Sequence, residues 1–218
     1  MKDANTMLKR GLSAIYDFAS ERFRGEMVLA RREFDLLVPI PPVDDEEMHD
    51  RLIMFSHWFL IDRPVMGREA AGKTPASLFY EEKLLGFSYE EEEMYRSLRA
   101  GHAGIYEVMD RHHKNIAADV MTGEELEFTM GEGMSLHANK EIMTMRFMRS
   151  RDGVFLLASY CTHPYSTKDF IRTQLEAVDR FDHAGFAARV FELTALSIKS
   201  EKYNWISPLM IYNGMSRL

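Results

Sequence analysis

The sequence predicts an α+β protein: N-terminal helices, a central antiparallel meander or small barrel of about five strands, and C-terminal helices. Three observations carry this reading. Apolar residues recur at helical spacing up to about residue 101; short stretches divided by turn residues follow to 164; and the helical period returns from 165 to the end. Residues 1–101, 102–164 and 165–218 are therefore a helical segment, an antiparallel β segment, and C-terminal helices with a docking tail. Together they make one composite domain, because 218 residues can bury a sizeable core. With 46% hydrophobic and 28% charged residues, the chain has the composition of a globular protein, which excludes fibrous and extensively disordered classes.

The elements follow in order. Leu8, Leu12, Ile15 and Phe18 lie on one face of a helix of about four turns. Gly25 interrupts it, and a second helix over 27–38 ends at Pro39-Ile40-Pro41-Pro42, where proline removes a donor and restricts its predecessor. Asp44 or Asp45 caps a third helix running to about Leu60, with Met48, Leu52, Phe55, Trp58 and Phe59 as its core stripe. Residues 62–72 connect to a short helix opened by Thr74-Pro75 and closed by Gly86. Ser88 and Glu91 form a capping box for a fifth helix to about Arg99.

Strands are expected at 104–110, 115–121, 125–130, 141–150 and 154–160, with turns at 111–114, 122–124 and 151–153. Asp152-Gly153 is a strong hairpin signal, because it suits positive φ. In the fourth strand Met143, Met145 and Phe147 alternate with Thr144, Arg146 and Met148, which reads as a half-buried strand with one core face. Beyond Pro164, Ser166 and Asp169 read as another capping box. Two helical faces follow, and the apolar stretch 203–212, too short to fold alone, is expected to dock on the body.

Charge and cysteine usage narrow the function classes. Residues 1–32 hold seven Lys/Arg against four Asp/Glu, a net +3, whereas residues 33–93 hold five against fifteen, a net −10. Only the first stretch, with Lys9, Arg10, Arg22, Arg24, Arg31 and Arg32, could give the basic footprint that nucleic acid needs. Those residues read better as the wet face of helices, so a nucleic-acid partner is not expected. The single cysteine, Cys161, cannot form an internal disulfide, which suits a reducing compartment. The polar N-terminus lacks the apolar core of a signal peptide, and the longest apolar runs are far shorter than the roughly 20 residues of a membrane helix. A cytoplasmic protein with no membrane span is the expectation.

No Ser elbow, Gly-rich phosphate loop or His-Glu-x-x-His motif is present. Among eight histidines the best metal candidates are His112, His137 and His163, joined by Cys161, although these ligands would come from separate loops. The same Cys161 with a histidine could serve a hydrolase. The carboxylates at 44–47 and 90–93 sit where helix capping explains them, and the aromatic run at 55–59 reads as core with His57 a hydrogen-bonded interior or boundary histidine. Sixteen methionines, seven of them at 109–148, are either core filler or a promiscuous binding surface.

The stretches Phe55-Ser56-His57-Trp58-Phe59-Leu60-Ile61-Asp62, Gly104-Ile105-Tyr106-Glu107-Val108 and Asp119-Val120-Met121-Thr122-Gly123-Glu124-Glu125 resemble a series in a family of uncharacterised bacterial proteins. The resemblance covers about residues 50–160. It implies a helical part followed by a small β unit. Some members of that family carry a C-terminal SEC-C zinc motif, whose cysteine cluster this chain lacks, so no zinc role transfers. The function expected is a non-enzymatic binding or adaptor protein for a protein or peptide partner, without cofactor. The alternatives are a hydrolase or metal protein using the loop His and Cys residues, and nucleic-acid binding through the basic N-terminal helices.

Overall fold

The computed structural model describes residues 2–66, 70, 72–130, 139–151 and 153–214. Among the described residues, five α-helices precede the sheet: α1 (Lys2–Arg22), α2 (Arg24–Leu37), α3 (Asp45–His57), α4 (Pro75–Lys83) and α5 (Tyr89–Arg99). The break between α1 and α2 falls at Phe23, not at Gly25, which lies inside α2. Asp44 caps α3 by accepting from the Glu47 N–H at 2.8 Å, and Thr74 and Ser88 cap α4 and α5. The capping box at Ser88 and Glu91 is complete, so the acidic run 90–93 is a helix start as expected.

The third helix departs from its expected stripe. Phe55, Trp58 and Phe59 are buried as expected, but Met48 and Leu52 are exposed, and Arg51, Met54 and His57 join the buried face. The helix then widens into a π turn, Trp58–Asp62, in which the Arg63 N–H reaches back five residues to the Trp58 carbonyl. All five residues of that turn are buried, which brings Asp62 inward along with the aromatic rings.

Five strands follow among the described residues: β1 (Ala103–Arg111), β2 (Lys114–Asp119), β3 (Glu125–Phe128), β4 (Asn139–Ser150) and β5 (Gly153–His163), in the spatial order β3-β2-β1-β4-β5 with every neighbour antiparallel. The β1–β2 turn is the two-residue His112-His113, with φ of 56° and 63°, the positive values that match a tight hairpin to strand twist. Past the end of β3, Thr129 exchanges backbone hydrogen bonds with Val154 and Leu156 at 2.8 and 3.0 Å, in a parallel bridge that partly closes the sheet into a barrel. Val108, Ala117, Phe128, Met143, Met145, Phe147 and Leu156, drawn from all five strands, form a core of their own.

The opposite face of β4 is buried as well, which corrects the expectation of a half-buried strand. Ile142, Thr144, Arg146 and Met148 face the helical layer, so the strand is enclosed on both sides. The methionines at 143, 145 and 148 fill these cores and do not form a binding surface; Met134 lies outside the described residues.

The C-terminal helices are α6 (Lys168–Glu176), α7 (His183–Lys202) and a short α8 (Pro208–Asn213). No side chain caps α6: its cap residue is Thr167, and Asp169 pairs with Arg172, so the expected box at Ser166 does not form. The docking tail is α8, whose Ile211 and Tyr212 are buried.

Candidate functional site

Two irregularities of β5 set up the interior polar groups. Opposite β4 the pairing steps from Thr144↔Cys161 to Met145↔Ser159 and from Arg146↔Ala158 to Phe147↔Leu156, which leaves Tyr160 and Leu157 as extra residues. Such bulges re-aim side chains. Tyr160 turns to the helical layer, where its hydroxyl accepts from Arg146 Nε at 3.0 Å and lies 2.9 Å from His57 Nδ1.

Arg146 is fully buried. Its guanidinium grips Asp62 through both terminal nitrogens, one at 3.1 Å and the other in a closer contact, and also donates to the Gly101 carbonyl. Burial alone would raise the Asp62 pKa, but the facing guanidinium, assisted by His102 at 3.5 Å, holds the carboxyl below its ordinary range. The Arg146 pKa rises for the reciprocal reason, Asp62 outweighing burial. His57 is pushed down to about 3, first by burial and then by the positive charge of Arg146, so it is a neutral imidazole that accepts the Tyr160 proton. Replacing Tyr160 by phenylalanine strands Arg146 Nε and His57 together, and is expected to cost about 1–3 kcal/mol of unfolding free energy in urea titrations.

A second network adjoins this one. His163 Nε2 is 2.7 Å from the Thr144 hydroxyl and Nδ1 is 2.8 Å from the Tyr212 hydroxyl. Thr194 gives its own proton to the Val190 carbonyl at 2.8 Å, so in the 3.1 Å contact between the two threonines Thr144 is the donor; its single proton is then spent, and it accepts from the Nε2–H of His163, whose Nδ1 accepts from Tyr212. Cys161 donates to Thr144 at 3.6 Å, with its sulfur 3.7 Å from His163 Nε2. Burial raises the thiol pKa and drops His163 to about 3. The lone pair a base would need is thus engaged by Tyr212, and the sulfur is held as a thiol, the less nucleophilic form.

Of the sequence candidates, the structure brings together Cys161 and His163 alone. His112 sits at the exposed hairpin tip, and His137 lies outside the described residues. No group of three or more His, Cys, Asp or Glu side chains converges among the described residues. Nor is any described helix long and apolar enough to cross a membrane. Of the basic N-terminal residues, Arg22 pairs with Glu82 and Arg31 with Asp35.

Above Tyr160 and Cys161 opens a cleft of about 560 Å³ between α3, the end of α7 and the Pro-rich loop. Its apolar wall is Ile40, Pro42, Met54 and Ile198, and Thr162 completes the lining beside Cys161. Arg51 and Lys202 flank it, both occupied: Arg51 by Asp35 at 2.7 Å and the Ile40 carbonyl, Lys202 by Glu47 and the Pro41 carbonyl, each at 2.8 Å. Directly after Lys202 the chain exposes Tyr203 and Trp205, packed edge to face, then Leu209 and Met210. Trp205 is 74% exposed, a large apolar surface left open to water. Sequence reasoning missed this cleft because its lining comes from residues 40–54, 160–162 and 198–202, with no local motif joining them.

No family model matches the chain, and no curated protein and no solved structure matches it either.

Proposed function

We propose that this protein is a non-enzymatic, cytoplasmic binding protein that takes a protein or peptide partner in the cleft between α3, α7 and β5. The observation that carries the reading is the conjunction of that 560 Å³ recess, walled by Met54, Ile40 and Ile198, with the exposed Tyr203, Trp205 and Met210 that follow it in the chain. A recess with an apolar wall suits an anchoring side chain, and exposed aromatic residues following it in the chain offer further apolar surface. The protonated Cys161 and the engaged imidazole of His163 favour binding over bond-breaking. The hydrolase reading would require that same pair to reorganise. The basic residues of α1 and α2 support nucleic-acid binding less well, since the acidic segment 33–93 adjoins them.

A displayed peptide library panned against the full chain tests the reading. Sequences are expected to enrich, and their binding should be lost when the exposed cleft residue Thr162 is replaced by tryptophan, which fills the recess. Enriched peptides that bind Thr162→Trp as well as the parent would sink it, as would a library that yields nothing above background.

A further inference from the structure

The charges at the cleft are unequal in a way that specifies its occupant. Lys202 is satisfied by Glu47 and the Pro41 carbonyl, and Arg51 is held by the Ile40 carbonyl and by Asp35, a carboxylate it shares with Arg31. Glu47 is likewise taken by Lys202. Asp50 and Glu201 are different: both line the cleft, both are exposed, and neither has an ion-pair partner among the described residues. They stand on separate elements, α3 and α7, and reach the cleft from both. Two carboxylates without ion-pair partners line the recess, and one of them, Asp50, belongs to the segment 33–93, whose net charge is −10. A cation entering there gains attraction from both carboxylates, while an anion meets repulsion.

Resting on the binding role proposed above, we infer that the partner is a basic peptide segment, with an apolar side chain seated against Met54 and Ile198 and a lysine or arginine beside it held between Asp50 and Glu201. Apolar burial supplies the anchor, and the carboxylates select for charge.

The test uses the full chain and three synthetic peptides sharing one central isoleucine, flanked by lysines, by glutamates or by serines, read by fluorescence anisotropy. The lysine peptide is expected to bind about tenfold tighter than the serine peptide at low salt, the worth of two exposed ion pairs. The advantage should shrink as added salt screens the charges. It should disappear in the Asp50→Asn, Glu201→Gln double variant, whose changes leave every hydrogen bond described above in place. Equal binding of the lysine and glutamate peptides overturns the inference, as does a lysine preference that survives in the double variant. If a library-selected acidic or neutral peptide enters the cleft and the lysine peptide does not, the inference falls and the binding role stands; if every peptide fails, both fall. Concentration-dependent dimerisation abolished by the double variant overturns the peptide in favour of a second copy of this chain.

Discussion

Truncating Asp62 to alanine is expected to lower the unfolding free energy by about 3–5 kcal/mol, read from the urea midpoint at neutral pH, because it leaves the Arg146 guanidinium buried without its counter-ion. The pair is enclosed: both side chains have no exposed surface, and two further N–H groups of Arg146 donate to Tyr160 and Gly101. Water cannot replace the lost carboxylate without opening the contact between the π turn and β4. The converse experiment separates the value of the pair from the cost of orphaning one member. Replacing Asp62 with leucine and Arg146 with methionine together removes both charges, and is expected to be far milder than Asp62→Ala alone, since well-packed apolar substitutes for a buried ion pair are often neutral or stabilising. A midpoint shift for Asp62→Ala no larger than that of an exposed substitution, about 0.5 kcal/mol, would contradict this account.

That pair also marks where the sequence stopped being legible. The helix starts at Asp44, Thr74 and Ser88, and the strands on either side of turns at 111–114 and 151–153, are local patterns whose physics is complete within a few residues. The architecture of helices, sheet and helices could therefore be read directly. Arg146 could not, because an arginine alternating with methionine and phenylalanine has the pattern of a solvent face. Its counter-ion lies 84 residues away, and only the widened turn at 58–62 delivers it. Met48 and Leu52 failed for the reverse reason: they keep helical spacing, yet burial of the charged Arg51 against Asp35 and the Ile40 carbonyl turns them outward. The candidate site was half legible. Cys161 and His163 do meet, two residues apart on one strand, while Tyr160 joins the buried polar network through a bulge that no single-sequence pattern announces.

Acid should destabilise the protein through histidine before it does so through carboxylates. His57 and His163 are held neutral with pKa values of about 3, against an ordinary value of about 6.5 in the unfolded chain. Between those limits the unfolded state binds more protons than the native state, so stability rises with pH and is lost as pH falls from about 6.5 toward 3. Each histidine contributes a slope of about 1.4 kcal/mol per pH unit once its unfolded form is protonated, and the two together about 2.7. The depressed carboxylates, Asp62 facing Arg146, Glu33 bonded to Arg63 and Glu107 bonded to Lys168, add their loss only below the ordinary carboxylate range near 4. The window from about 6 to 4.5 therefore belongs to the histidines. By pH 5 that slope has removed about 4 kcal/mol, a large share of a total stability of about 5–15 kcal/mol. Urea midpoints taken at intervals from pH 7 to 4.5 measure it. The slope should fall by half in His163→Gln, which is destabilised at neutral pH by the disturbed bonds to Thr144 and Tyr212 but has one buried imidazole fewer to protonate. A midpoint that stays level down to pH 5, or a slope unchanged in that variant, would show that these imidazoles accept a proton without unfolding the chain.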